Sequence, residues 1–146
     1  MTNPLRGILV ATDGSEGAAR AEGVACAIAS GCKCKLVILT ISRGLSDVEI
    51  RRLAHIEGDI GKARHVLIER ILGEATARAS EAGVAEVRPI TEPGDPATTI
   101  LAVAAREQVD LIVIGKRGVG ALSRIAFGSV SRSVSDHASC AVAVVP

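Results

Sequence analysis

The chain has 146 residues, of which 48% are hydrophobic and 23% are charged, a composition typical of a folded globular protein rather than a disordered chain. Its 17 basic and 16 acidic residues leave a formal net charge of +1, and without a basic excess general binding to nucleic acid is disfavoured. Phe127 is the only aromatic residue, so bases cannot stack on aromatic rings, and no apolar run reaches the roughly twenty residues of a membrane span.

The first part of the chain alternates between strand and helix patterns. Residues 7–12 form an uninterrupted apolar run of the kind found in strands that are covered on both faces. After the turn Asp13-Gly14-Ser15, the Ser15 side chain is a suitable helix N-cap. A helical stripe of apolar residues follows and ends near Gly31: Ala18, Ala21, Ala25 and Ile28. Residues 35–41 are a second buried strand, which completes a strand–helix–strand unit.

A long segment with helical periodicity occupies residues 46–82. Gly58, Gly61 and Gly73 argue against one unbroken helix, because glycine weakens a helix interior. We expect a mobile or separately folded first part, followed by a main helix over residues 62–81 that stops at Ala82-Gly83. The sequence leaves the structure between Ser46 and Lys62 open: a lid, a loop and an extension of the helix all fit.

The second half of the chain continues the alternation. Residues 85–91 alternate in polarity around Pro89, which predicts an exposed strand near the edge of a sheet. Asp95 and Pro96 are typical of a helix start. This helix is expected to end near residue 107, and it is followed by a strand over 110–114, a helix over 129–137 and a last strand over 141–145.

Five strands alternating with helices predict an α/β fold with a parallel sheet. We expect a single doubly wound domain over residues 1–146, with a five-stranded sheet in the order 3-2-1-4-5 and helices on both faces. In such a sheet, ligands bind at the carboxyl ends of the strands where the winding reverses, which here lies between the first and fourth strands. Asp13-Gly14-Ser15 and the segment beginning at Gly115 would then face one crevice.

The segment after the fourth strand contains the most informative motif. Gly115-Lys116-Arg117-Gly118 is followed by nine residues and then by Gly128-Ser129-Val130-Ser131, which gives the pattern G-x2-G-x9-G-S. Glycines allow the backbone to approach a ligand closely, and the free N–H groups and hydroxyls at a helix start suit a phosphate. The motif therefore predicts a nucleotide site. The simpler alternatives are that the motif is a tight loop without a ligand and that Asp13 only stabilises a turn or a helix start.

Several other kinds of site are disfavoured. The sequence contains no G-x4-G-K-[ST], the turn after the first strand is not G-x-G-x-x-G, and no G-x-S-x-G elbow occurs. Ser135-Asp136-His137 is consecutive on a predicted helix, so its side chains diverge and cannot form a catalytic relay. Cys32 and Cys34 lack the spacing of a zinc site. All four cysteines are expected to be reduced, with Cys26 and Cys140 buried.

The residues as a whole resemble the universal stress protein family. The resemblance is carried by ILVATDGS at residues 8–15, VILTI at 37–41, DLIVIG at 110–115 and the glycine motif through residue 145. It covers essentially the whole chain, least clearly between residues 44 and 63. The G-x2-G-x9-G-S pattern matches that of the family's ATP-binding branch without a gap.

The resemblance implies roles for individual residues. Asp13 would lie close to the nucleotide, and to a Mg²⁺ or Mn²⁺ ion on its phosphates. The backbone of Ile41 would meet the adenine edge, and Gly115 would approach the ribose. The complete set of residues implied to bind the nucleotide is Ala11, Asp13, Ile41, Ile114, Gly115, Arg117, Gly118, Gly128, Ser129, Val130 and Ser131.

The resemblance implies an ATP-binding, cytoplasmic stress-response regulator that acts through nucleotide occupancy. A slow ATPase in the same site and an interaction module that binds no nucleotide are the alternatives. No general base is evident beside the single carboxylate of Asp13, so efficient catalysis is not expected. The last strand, residues 141–145, is uncharged and would lie at a sheet edge, so we expect a homodimer paired through it.

Overall fold

The computed structural model describes residues 5–116 and 128–146. Within these ranges, the strands are β1 (Gly7–Ala11), β2 (Lys35–Ile41), β3 (Val87–Glu92), β4 (Leu111–Gly115) and β5 (Ala141–Val145). The helices are α1 (Glu16–Cys32), α2 (Asp47–Glu57), α3 (Ile60–Glu81), α4 (Pro96–Arg106) and α5 (Ser129–His137), with a 3₁₀ turn at Ser42–Gly44.

The strands form one parallel sheet in the order β3-β2-β1-β4-β5, which confirms the predicted topology. β1 lies at the centre, where Ile8 pairs with Leu36 on one side and with Leu111 on the other. The winding reverses between β1 and β4, since the chain builds outwards from β1 to β3 and then returns to the other side of β1. The carboxyl ends of β1 and β4 therefore lie side by side.

Helices cover both faces of the sheet. Side chains of successive strand residues point to opposite faces, so Ile8 and Val10 pack with α1 and α3, whereas Leu9 packs with α4 and α5. All three of these β1 side chains are fully buried. This burial explains why β1 is a continuous apolar run in the sequence.

Side chains at the helix starts set the helix boundaries. Ser15 caps α1 by accepting a hydrogen bond from the Ala18 N–H, as predicted, and Asp95 caps α4 by accepting one from the Thr98 N–H. The Thr98 bond also lowers the pKa of the Asp95 carboxyl group. α1 ends at Cys32, close to the predicted end near Gly31, because Lys33 adopts the left-handed conformation (φ 55°) that closes the helix.

The segment from Ser46 to Lys62, which the sequence left open, is helical. Ser46 caps α2, and Gly58 ends it in a left-handed conformation (φ 75°) before Asp59 caps α3. Leu45 and Ile50 are buried in a cluster with Leu67 of α3, so the segment packs on the main helix instead of folding separately. α3 itself begins slightly earlier than predicted and continues through Gly73.

The four cysteines are free thiols, as expected. Cys26 is buried, but Cys140 is only partly buried, so the prediction that it is buried was wrong; Cys34 is buried instead. Burial raises the pKa of the Cys26 thiol, and the carboxylate of Glu22 raises it further. In the two described ranges, no helix combines the length and apolar character needed to cross a membrane.

Candidate functional site

A cavity of about 320 Å³ opens at the carboxyl ends of β1 and β4. This cavity is lined by nine of the residues that were predicted to bind the nucleotide: Ala11, Asp13, Ile41, Ile114, Gly115, Gly128, Ser129, Val130 and Ser131. The other two, Arg117 and Gly118, lie outside the described residues. The fold thus brings the two conspicuous motifs of the sequence to opposite walls of a single cavity.

The turn after β1 forms the first wall. The Ser15 N–H donates to Asp13 Oδ1 over 2.9 Å, and the Ala18 N–H donates to Ser15 Oγ over 3.2 Å. Gly14 between them has φ +82°, a conformation that side chains rarely tolerate. Asp13 therefore shapes the turn through its own carboxylate while it also lines the cavity.

The end of β4 and the start of α5 form the opposite wall. The Gly128 N–H donates to the carbonyl oxygen of Lys116 over 2.8 Å, so α5 begins directly beside the strand end. The Ser131 hydroxyl lies 2.8 Å from the same carbonyl oxygen and 3.0 Å from that of Gly128. Since Ser131 is only 1% exposed, its hydroxyl holds the helix start against the strand.

The N-terminus of α5 differs from the other helix starts in the described parts of the chain. The side chains of Ser15, Ser46, Asp59 and Asp95 cap α1 to α4, whereas Gly128 at the N-cap of α5 has no side chain to accept a hydrogen bond. The first backbone N–H groups of a helix need a partner from outside the helix, and they carry the positive end of its dipole. An anion in the cavity would supply that partner.

The other half of the cavity is apolar. Ile41, at 7% exposed, and Ile114, at 6%, contribute aliphatic surface from the ends of β2 and β4. Gly44, Pro96 and Ile100 complete this half of the wall. These three residues were not among those predicted for the site. Their position near the site could have been predicted from the topology, because a helix that follows a parallel strand begins at the carboxyl edge of the sheet.

The lining contains few charges. In the part of the chain that the structure describes, Asp13 and Lys116 are the only charged residues of the cavity wall, and no group of three or more His, Cys, Asp or Glu side chains is placed to hold a metal ion. A Mg²⁺ ion is commonly held by one or two carboxylates together with phosphates of the ligand. The lining can hold such an ion through the Asp13 carboxylate only if the phosphates of a bound ligand supply further oxygen ligands.

The triplet Ser135-Asp136-His137 makes no catalytic relay. The hydroxyl of Ser135 bonds to the Ser131 carbonyl oxygen over 2.7 Å, and His137 Nδ1 lies 2.9 Å from the Ser133 carbonyl oxygen. Both side chains thus make contacts within α5. His55 and His65 are exposed on α2 and α3, away from the cavity lining.

The fold and the cavity together define a class: doubly wound α/β proteins with a ligand-sized crevice where the winding of the sheet reverses. Within this class, the model of the universal stress protein family matches residues 4–146. The chain belongs to this family.

Three known proteins are similar over nearly their whole length. Universal stress protein YxiE of Bacillus subtilis (strain 168) is 32% identical over 148 residues, covering 94% of this chain and 97% of YxiE. The crystal structure of a universal stress protein in complex with cAMP superimposes with a TM-score of 0.74 at 29% identity, covering 97% of each chain. Universal stress protein UspA from Lactobacillus plantarum has a TM-score of 0.72 at 26% identity, also covering 97% of each chain.

Proposed function

We propose that this protein binds ATP in the cavity between β1 and β4, and that nucleotide occupancy controls its activity as a regulator in the stress response. One observation carries the proposal: the uncapped N-terminus of α5 and the Asp13 turn, which come from distant parts of the sequence, face one cavity with an apolar half. A nucleotide has the matching combination of an anionic end and a largely apolar base.

The start of α5 is the phosphate end of the proposed site. Backbone N–H groups of Ser129, Val130 and Ser131 supply donors, and the helix dipole favours an anion by roughly 0.3–1 kcal/mol per interaction. Lys116, the cationic residue in the described lining, adds charge neutralisation. Arg117 and Gly118, which belong to the same motif, are proposed as further phosphate neighbours. Mg²⁺ or Mn²⁺ on the phosphates would meet the protein at Asp13.

The aliphatic end of the cavity is the proposed base site. Ile41 ends β2 there, and its backbone is proposed to meet the adenine edge, while Gly115 is proposed beside the ribose. A base in this position lies between aliphatic side chains, because the chain has no Trp or Tyr to stack on it. The cAMP complex of the similar universal stress protein supports an adenine ligand.

The test is isothermal titration of ATP into nucleotide-free protein, with Ser129→Glu as the decisive variant. Ser129 is exposed in the first turn of α5, where an acidic side chain favours the helix but repels a phosphate. We expect wild-type protein to bind ATP and Ser129→Glu to lose most of its affinity while remaining folded.

Ser129→Gln is the matched control, because it has nearly the same bulk as the glutamate without the charge. It should keep affinity within a few-fold of wild type. Absence of binding heat with wild-type protein at millimolar ATP would refute the proposal. Equal binding by the Ser129→Glu variant would place the phosphates elsewhere. Competition by GTP tests the base preference, and competition by cAMP tests how much the affinity depends on the triphosphate.

We also propose a homodimer that forms through β5. β5 is an edge strand with β4 as its single neighbour in the sheet, and its sequence, AVAVV, carries no charge. Ala141 is exposed and Val142 to Val145 are only partly buried, which leaves an apolar edge in contact with solvent. Antiparallel pairing with the same strand of a second copy would cover that edge.

A further inference from the structure

A buried carboxylate lies behind the Asp13 turn, on the opposite face of the sheet from α4 and α5. Glu22 of α1 is 2% exposed and belongs to the buried stripe of that helix, which is otherwise made of Ala18, Ala21, Ala25, Cys26 and Ala29. Glutamate is almost never fully buried unless it is paired. A carboxylate in an otherwise apolar stripe therefore calls for a reason that packing does not supply.

Both oxygens of the Glu22 carboxylate are used. Oε1 accepts a hydrogen bond from the Thr12 hydroxyl over 2.6 Å. Oε2 accepts bonds from the guanidinium group of Arg78 on α3, from Nε over 3.0 Å and also from Nη2. The Glu22 side chain is 3% exposed whereas that of Arg78 is 48% exposed, so the arginine reaches in from solvent to neutralise the carboxylate.

Thr12, the partner of Glu22, connects the end of β1 to the turn. Its N–H donates to the Leu39 carbonyl oxygen over 2.9 Å, and its own carbonyl oxygen accepts from the Thr40 hydroxyl over 3.1 Å. Its hydroxyl donates to Glu22 and accepts from the Gly14 N–H over 3.3 Å. The Glu22 bond thus orients the hydroxyl so that its lone pairs face the turn.

We propose that Glu22 is a positioning residue of the ligand site, which, through the Thr12 hydroxyl, fixes the turn that holds Asp13. The inference rests on the proposed nucleotide function and extends it, because Glu22 does not line the cavity. Thr12 and Ser15 do line it, so a shift of the turn changes the wall that faces the ligand. Arg78 keeps the carboxylate in place from α3.

The Glu22–Arg78 pair is not in itself evidence that Glu22 is there to stabilise the fold. Replacing a buried ion pair by apolar residues of similar size is often neutral or stabilising, because the charges no longer need to be removed from water. Leucine at position 22 would restore the apolar stripe of α1, and the half-exposed Arg78 would be free to turn towards solvent. A positioning role and a structural role therefore predict different outcomes for the same variant.

The experiment measures ATP affinity and the free energy of unfolding for Glu22→Leu, Thr12→Val and the double variant. We expect each single variant to bind ATP about five- to tenfold more weakly, the magnitude of one lost hydrogen bond. The double variant should bind no more weakly than Thr12→Val, since that variant already lacks the hydroxyl through which Glu22 acts. Glu22→Leu should remain folded, because leucine fits the apolar stripe of α1, and its stability should fall only through the Thr12 hydroxyl that loses its acceptor.

Glu49→Leu is the matched control. Glu49 pairs with Arg70 over 3.3 Å between α2 and α3, but both side chains are more than 40% exposed and neither bonds to the turn. Its ATP affinity should equal that of wild type. If Glu22→Leu and Thr12→Val fold normally and bind ATP as wild type does, Glu22 is not a positioning residue.

Amide hydrogen exchange separates this inference from the proposed function. We expect the amides of Gly14 and Ser15 to exchange faster in both single variants than in wild type, with or without nucleotide. If the variants exchange faster but wild-type protein binds no ATP, the nucleotide proposal is refuted and the positioning of the turn is kept. Unchanged exchange at both amides would refute the positioning role, and if Glu22→Leu does not fold, Thr12→Val decides alone.

Discussion

At the scale of single residues, Gly14 shows how closely the turn is fitted to its surroundings. Its φ of +82° belongs to the left-handed region, and a Cβ atom built on it would lie 3.0 Å from Cγ1 and 3.1 Å from Cδ1 of Ile71. Ile71 belongs to α3 and is itself buried in the cluster that includes Ile50 of α2. Both the backbone conformation and the space available therefore require glycine at this position.

Alanine at two glycine positions should have effects of opposite sign. Gly14→Ala should lower the free energy of unfolding by more than about 1 kcal/mol, because the side chain is strained at positive φ. Gly73→Ala should raise it by about 0.5–1 kcal/mol, since Gly73 is inside α3 with open space around its Cα atom. Urea denaturation of both variants measures the difference. A stabilised Gly14→Ala variant would contradict the described turn.

Residues whose chemistry is local were predicted correctly from the sequence. Ser15 and Asp95 cap helices because their side-chain oxygens reach backbone N–H groups only three residues away. The role of Glu22 was not predicted, because its partners Thr12 and Arg78 are close to it only in the folded chain. The sequence nonetheless contained an indication of this role, because Glu22 lies one helical turn after Ala18, within an otherwise apolar stripe.

At the scale of elements, β1, β2 and β4 were predictable because parallel strands that are buried on both faces are continuous apolar runs in the sequence. The same reasoning did not predict the structure of the segment before α3. α2 has a short apolar side, and Ile56 remains 75% exposed, so its pattern does not identify a core helix. Its position depends on the contact of Leu45 and Ile50 with Leu67, which no local rule anticipates.

The edge strand β5 yields a prediction about assembly. Sedimentation equilibrium should show a dimer at micromolar concentrations, and Ala141→Lys should shift the equilibrium towards monomer, because an edge lysine opposes strand pairing. Ala141 is exposed, so the variant should keep the stability of the monomer fold. Val48→Lys, at an exposed position on α2, is the control and should dimerise normally. A wild-type monomer at every concentration would refute pairing through β5.

At the scale of the whole molecule, the location of the site was predictable and its full outline was not. Strand order alone placed the Asp13 turn beside the glycine motif, because the carboxyl ends of β1 and β4 are neighbours. The contributions of Pro96 and Ile100 depend on how α4 packs across the sheet. Such packing follows from the sum of many apolar contacts and leaves no short motif.

A ligand that joins two walls of the molecule should stabilise the whole fold. ATP at one hundred times its dissociation constant should raise the free energy of unfolding by about 2.7 kcal/mol, because it binds the native state and not the unfolded chain. Thermal denaturation with and without ATP measures the gain. Ser129→Glu should show little gain at the same ATP concentration. An equal gain in that variant would indicate binding at another place.

The central pairing of the sheet also has a consequence for the order of folding. β1, β2 and β3 are neighbours in both sequence and space. β4 pairs with β1 through residues that are far apart in the sequence, such as Ile8 and Leu111. Closing so long a loop is slow relative to local pairing. We therefore expect the cavity between β1 and β4 to form late, so that a newly made chain must complete most of the sheet before a ligand can bind it.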